Sequence, residues 1–259
     1  MEKPEKFKKY DKNLLWEIPI EIYGLHIYPV MMRNIYEFYD SISTLQINPM
    51  ELNFGGLSEA LSTLSYLELA IFFAKNDKTF QERLNTILKL AFRVSDESIR
   101  VNNKDGKLAL IVVQNGKEIE ISSGKFNRVK DLICYQNAIE VVDLKENQRI
   151  LEANKRVDSL NSNSDLTIED QIFSVAAISQ IDIKDIERWS IYRFKRMTES
   201  HDNIINYKIF KSAEMSGFVT FKGGNPFKSW MTKSKDTTKE LKTVNDLAKT
   251  FGIGVKNTH

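Results

Sequence analysis

The sequence predicts an α+β protein: a mixed N-terminal domain with a β-meander and packed helices, followed by a helical C-terminal domain. Three observations carry that expectation. Between Ile99 and Ile121 apolar residues alternate with polar ones, interrupted by Asp105-Gly106 and Asn115-Gly116. Period two marks strands, and both dipeptides tolerate the positive φ of tight hairpin turns. On either side of this meander the apolar spacing is helical, and the polar tract SLNSNSD at 159–165 then divides the chain. The domains expected are a mixed one over 15–143, a linker over 144–166, a helical one over 167–231 and a lysine-rich tail over 232–259.

The first element is a β-hairpin or a pair of short strands. Ile18, Ile20 and Ile22 alternate, Gly24 follows, and a second run spans 25–30, with Pro19 and Pro29 limiting both to edges or strand ends. Met32, Ile35, Tyr36, Phe38, Tyr39 and Ile42 then take helical spacing through Leu45, until Asn48-Pro49 ends the run. Residues 57–74 read as a strongly apolar helix broken at Asn76-Asp77, and 79–92 as a third helix with Phe80, Leu84, Ile87, Leu88 and Ala91 on one face. After the meander, FNRVKDLICYQN puts Phe126, Val129, Ile133 and Gln136 on one stripe flanked by Leu132 and Cys134, with Asn137 as a stop. Residues 144–166 read as a weak helix running into a flexible linker.

In the C-terminal part, Thr167 and Asp170 have the spacing of a capping box, so a helix is expected over 168–179. IDIKDIERWSIYRFKRM, capped by Asp182, reads as a second helix, and residues 203–215 as a third, stopped at Ser216-Gly217. Beyond them, GFVTFKGGNPFKSWM is a turn-rich loop, and 237–250 a short helix on a loose tail.

Composition narrows the function. The chain has 259 residues, 42% hydrophobic and 28% charged, which is globular, and a formal net charge of only +2, which makes no general case for nucleic acid or a membrane. The leader MEKPEKFKKYDKN lacks the apolar stretch of a signal peptide, and no window reaches the ~18 apolar residues of a membrane span. A single cysteine and three histidines leave little for catalysis or metal binding. Cys134 has Lys130 one turn away and Asp131 close by; its nearest plausible base, His26, lies far off in sequence, so core packing is the better reading. His26, His201 and His259 share no ligand spacing. GFVTFKGGN lacks the GxxxxGK[ST] of a phosphate loop. No catalytic residue, metal or cofactor is therefore expected.

The helices over 168–197, with Lys184, Arg188, Arg193, Lys195 and Arg196, have the outline of a helix-turn-helix, and a phage DNA-binding protein is the alternative this supports. Against it, the turn lacks a small residue, the cations split between two faces, and Ile186, Trp189 and Phe194 call for a core. From Lys222 onward eight lysines outnumber three acidic residues, with Phe227, Trp230 and Phe251 interleaved. Such a segment could meet RNA or an acidic partner surface, and a solvated tail is the reading preferred, with a protein partner next.

IYGLHIYPVMMRNIYEFY, the LICYQN helix after the meander, ISQIDIKDIERWSIYRFKRM and SGFVTFKGGNPFKSWM, in that order, resemble a family of tail and baseplate assembly proteins of tailed phages from low-GC Gram-positive hosts. The residues that carry the resemblance are Cys134, Tyr135, Gln136, Asn137, Asp185, Ile186, Phe194, Gly223, Gly224 and Trp230. The chain departs from the pattern at Ser229, where a histidine often precedes the tryptophan, and in its tail over 232–259. The resemblance implies a non-enzymatic morphogenesis factor, either an assembly chaperone or a minor virion subunit, acting through protein–protein contacts. Its partners would be other phage tail or baseplate proteins, or further copies of itself. It would work in the host cytoplasm during assembly, or stay in the virion. Trp189, Tyr192, Phe227 and Trp230 are the anchors this reading favours, because large aromatics dominate interface energetics.

Overall fold

The computed structural model describes residues 5–47, 63–104, 107–139 and 167–216, together with Ser229 and Met231. The expected α+β class is observed. A 3-10 turn, Glu5–Tyr10, runs into α1 (Asp11–Leu15), followed by β1 (Ile20–Ile22), β2 (Leu25–Ile27) and α2 (Ile35–Ile42). Then come α3 (Tyr66–Asn76), α4 (Lys78–Phe92), β3 (Ile99–Lys104), β4 (Lys107–Gln114), β5 (Lys117–Ser122) and α5 (Ser123–Gln136). The C-terminal helices are α6 (Ile168–Ser179), α7 (Ile183–Ile186) and α8 (Ile191–Met215).

Both sheets are antiparallel, in the orders β1-β2 and β3-β4-β5. In the hairpin, Tyr23 and Gly24 take φ of 54° and 81° between the paired residues Ile22 and Leu25. In the meander, Asn115 and Gly116 take 53° and 73° between Gln114 and Lys117. Positive φ at both central positions suits a two-residue hairpin turn to the right-handed twist of its strands. The other expected turn, Asp105-Gly106, lies outside the described residues, but the pairing of Lys104 with Lys107 leaves just those two residues for it. The alternation in β4 is less strict than expected. Leu110 and Val112 are buried on one face, and Ile111 is buried on the other, between its partners Arg100 and Glu120. An ion pair between Arg100 and Glu118 is drawn across the strand on that second face.

Helix boundaries follow their caps. Ser65 and Glu68 form a capping box that starts α3, so the helix does not include residues 63–65; the expected start at 57 and the Asn48-Pro49 stop lie outside the described residues. Asp77 ends α3 and caps α4, its carboxylate accepting from the N–H groups of Thr79 and Phe80. The Thr167–Asp170 capping box forms as expected.

The leader is not a mere lead-in. Phe7 is fully buried with its ring 5.0 Å from that of Tyr135, and Leu14 is buried as well. Residues before the expected domain start at 15 therefore contribute to the core. A short amphipathic turn with one aromatic on its inner face carries too few residues to show a period.

The largest correction concerns residues 182–215. Instead of a helix capped by Asp182 and running to Met197 and another from 203, α7 stops at Ile186 and α8 runs unbroken from Ile191 to Met215. The backbone is diverted between them. Met32 and Arg33 donate their N–H groups to the carbonyls of Trp189 (2.8 Å) and Glu187 (3.2 Å), and Ile191 N–H donates to Val30 C=O (2.9 Å). Ser190, in a β-bridge with Met31, then caps α8 by accepting from Arg193 N–H at 3.1 Å.

The expected linker at 144–166 lies outside the described residues. The chain divides into two compact units: residues up to Ala176 with Gln180–Lys195, and Ala177–Ser179 with Arg196 onward. The start of the region expected as a separate helical domain belongs to the unit that holds the meander. In the second unit, the His201 ring nitrogen Nε2 lies 3.2 Å from Ser179 Oγ, and Arg196–Glu199 and Lys211–Glu214 are ion pairs along α8.

Two buried amides hold the first unit together. Gln114 accepts from His26 N–H at 2.8 Å and donates to the carbonyls of His26 (3.0 Å) and Phe92 (2.8 Å). It thereby occupies the free edge of β2, since His26, opposite Glu21, turns its peptide groups away from β1. Asn137, fully buried at the end of α5, accepts from Val30 N–H and donates to Ile133 C=O, both at 2.9 Å. Its neighbour Gln136 is equally buried, with neither side-chain polar atom bonded to another described residue. The two therefore differ in their response to truncation. Asn137→Ala strands a buried N–H and should cost roughly 1–3 kcal/mol in denaturant melts, whereas Gln136→Leu removes unpaired polarity and should be neutral or stabilising. A Gln136→Leu loss as large as that of Asn137→Ala would show that Gln136 has a partner in solution.

Candidate partner-binding surface

Two surfaces of the first unit expose large apolar side chains. The first is a knuckle at residues 15–19, formed where α1 meets β1. Trp16 N–H donates to Lys12 C=O at 3.1 Å, Ile18 N–H to Asn13 C=O at 2.9 Å, and Asn13 Nδ2 to Pro19 C=O at 2.9 Å. Glu17 sits at φ 56°, in the left-handed region that costs a residue with a Cβ about 1–2 kcal/mol. Its carboxylate is held by Ser190 N–H at 2.8 Å, which offsets that cost. This frame turns Leu15 (68% exposed), Trp16 (66%) and Ile18 into solvent.

The knuckle is also positively charged. Lys12 lies one helical turn before Trp16, and Lys9, with its ammonium over the Tyr10 ring, lies one turn earlier; both are exposed. The nearby carboxylate of Asp11 faces inward and accepts from the Tyr135 hydroxyl. Burial, then that carboxylate, hold the Tyr135 hydroxyl above its ordinary pKa.

The second surface joins α2 to α6. Tyr36 (52% exposed), Tyr39 and Phe173 (61%) are its aromatic members. The hydroxyl of Tyr36 donates to Glu169, a bond that raises the tyrosine pKa and lowers that of the carboxylate. Helical spacing had placed both tyrosines on the apolar stripe of α2; the structure buries Ile35, Phe38 and Ile42 and leaves the tyrosines outside. Glu37, Asp40 and Asp170 are exposed beside them. Arg33 stands at the N-terminal end of this face, and Lys195, which donates to Ala138 C=O at 3.2 Å, has its ammonium 5.5 Å from the Tyr39 ring.

The anchors expected from the sequence fare differently. Trp189 is 7% exposed, with the Arg193 guanidinium 4.3 Å from its ring, and is a core residue rather than a surface anchor. Tyr192 is half-buried in the first turn of α8. Phe227 and Trp230 lie outside the described residues, as do the tail and His259. Trp16, not among the expected anchors, is the most exposed tryptophan among the described residues. The signal was the run Leu14-Leu15-Trp16, three apolar residues at the end of a five-residue helix that can bury only one face.

The helix-turn-helix outline is not realised as one recognition helix. Gln180 makes the turn at φ 55°, but the following helix has only four residues before the break at 187–190. Arg193 lies over Trp189, Lys195 is bonded to Ala138 and Arg196 is paired with Glu199.

Residues 160–235 match the family model described as YomV second domain. That name is associated with a Bacillus phage and agrees with a phage protein. The YomV-like segment takes in α6, α7 and α8, so it includes the corner that packs into the first unit. No curated protein matches the chain. No solved structure does either.

Cys134 is buried, and burial pushes its thiol up to about 12, with Asp131 adding to the rise and Lys130 opposing it. Lys130 is itself buried, 3.2 Å from Asp131 and with its ammonium over the Tyr66 ring, while Asp131 also pairs with Lys6 at 3.1 Å. Among the described residues no three His, Cys, Asp or Glu side chains could hold a metal, and no helix is long and apolar enough to cross a membrane. At pH 8 the buried thiol therefore stays protonated, and the thiolate is the reactive form. The native protein should therefore resist Ellman's reagent at pH 8 and react fully once unfolded in guanidinium. Fast labelling of the folded protein would show an accessible thiolate instead.

Proposed function

We propose that the protein is a non-enzymatic factor in phage tail or baseplate morphogenesis, acting as an assembly chaperone or minor structural subunit through protein–protein contacts. The observation that carries the contact mechanism is the knuckle: two large apolar residues, Leu15 and Trp16, two-thirds exposed and held in a fixed frame by backbone bonds and by Glu17. Tryptophan is among the residues most enriched at interface hot spots, and a pre-ordered loop loses little freedom on docking. The YomV-like segment supports the phage setting.

The test is genetic. Deleting the gene from the phage that encodes it should yield tailless heads or tails without baseplates in negative-stain images. Supplying Cys134→Ala in trans should restore plaques, and Trp16→Ala should not. Complete, infectious particles in the deletion would sink the reading.

A further inference from the structure

We propose that the knuckle of one copy docks on the α2–α6 face of a second copy of this chain. The inference rests on reading the knuckle as a protein contact and adds the identity of what it meets.

The argument is complementarity in two respects. The knuckle presents Trp16 and Leu15 beside Lys9 and Lys12, while the opposing face presents Tyr36, Tyr39 and Phe173 beside Glu37, Asp40 and Asp170. Neither Glu37 nor Asp40 forms an ion pair with another described residue. Positive potential meeting negative potential steers association and sets its register. Leu15, Trp16 and Ile18 together expose on the order of 300–400 Å² of apolar surface, as much as the largest patch of an ordinary monomer. This is about half of the ~800 Å² per partner of a standard interface, which the lysine stems and helix edges around it would have to complete, so a weak, concentration-dependent association is expected. A lipid surface has no fixed shape and would not need the left-handed Glu17 or its bond to Ser190. Nucleic acid would be repelled by the carboxylates of the second face and has no use for an apolar tip.

The two patches are different, so the contact is heterologous. Reciprocal docking closes a dimer, and one-way docking makes a longer chain.

Sedimentation velocity of the full-length protein from low to several hundred micromolar tests this, with circular-dichroism melts to confirm that each variant folds. The mass should rise with concentration, and the rise should weaken with added salt as the charges are screened. Trp16→Ala should raise the dissociation constant at least about tenfold. The pair Lys9→Glu/Lys12→Glu and the pair Glu37→Lys/Asp40→Lys should each be monomeric, and mixing these two proteins should give one-to-one pairs. A wild-type monomer throughout the range would overturn the proposal, whether or not it binds phosphatidylglycerol vesicles. So would a mixture that stays monomeric. A monomer would still leave the knuckle free for another tail protein, which the Trp16→Ala complementation decides separately.

Discussion

The backbone of residues 28–33, Tyr-Pro-Val-Met-Met-Arg, is the constraint on which the first unit depends. Tyr28 N–H donates to Ala91 C=O at the end of α4, Val30 N–H to Asn137 at the end of α5, and Met32 and Arg33 to the corner before α8. Val30 C=O receives Ile191 N–H. A buried peptide group left without a partner is costly, so a segment crossing the core outside any sheet must recruit partners wherever the chain supplies them. Here they come from three places, separated from it by roughly 60 to 160 positions. Pro29, which has no N–H to satisfy, fits among them. The loop-closure entropy of such distant contacts is met only when they form together, so these contacts form cooperatively.

The irregular features nearby follow from that strap. The carbonyls of Glu187 and Trp189 accept from the N–H groups of Arg33 and Met32, and α7 ends just before them, at Ile186. Ser190, a good N-cap residue, begins a new helix. The first residues after Thr167 belong to the meander's unit, and the division of the chain into compact units falls within α6 and α8. A family boundary near residue 160 and a packing boundary near 177 and 196 are therefore compatible, because one marks shared sequence and the other marks shared core.

What could be read from the sequence was what short-range chemistry decides. The two observed hairpin turns, the Thr167–Asp170 box, the helix at 168–179 and the LICYQN helix all depend on residues within a few positions of one another. Features that depend on distant partners were hidden. Three helices, α4, α5 and α6, end with a left-handed residue that is not glycine: Arg93, Ala138 and Gln180. These ends were legible all the same, from the apolar spacing over 79–92 and 168–179 and from Asn137 after LICYQ. At the candidate surface, hydrophobicity alone gives Trp16 and Trp189 equal claims on the core. The carbonyl of Trp189 is taken by Met32, which fixes that tryptophan inside, while the end of α1 can bury Leu14 but not its two neighbours.

The strap and the knuckle are joined through Glu17. Because Ile191 and Met32 take up the groups on either side of Ser190, the corner is rigid and leaves the buried Ser190 N–H in need of an acceptor. Glu17 supplies it across 173 positions of sequence, and to do so it takes the left-handed conformation that turns Leu15, Trp16 and Ile18 outward. Glycine would adopt that backbone more readily but could not reach Ser190, and an alanine would carry the strain without the bond. Only a side chain with an acceptor at this length provides both the turn and the tether. The exposure of Trp16 is thus a consequence of how the core satisfies its own peptide groups, and the exposed surface around it is tied to the strap beneath it.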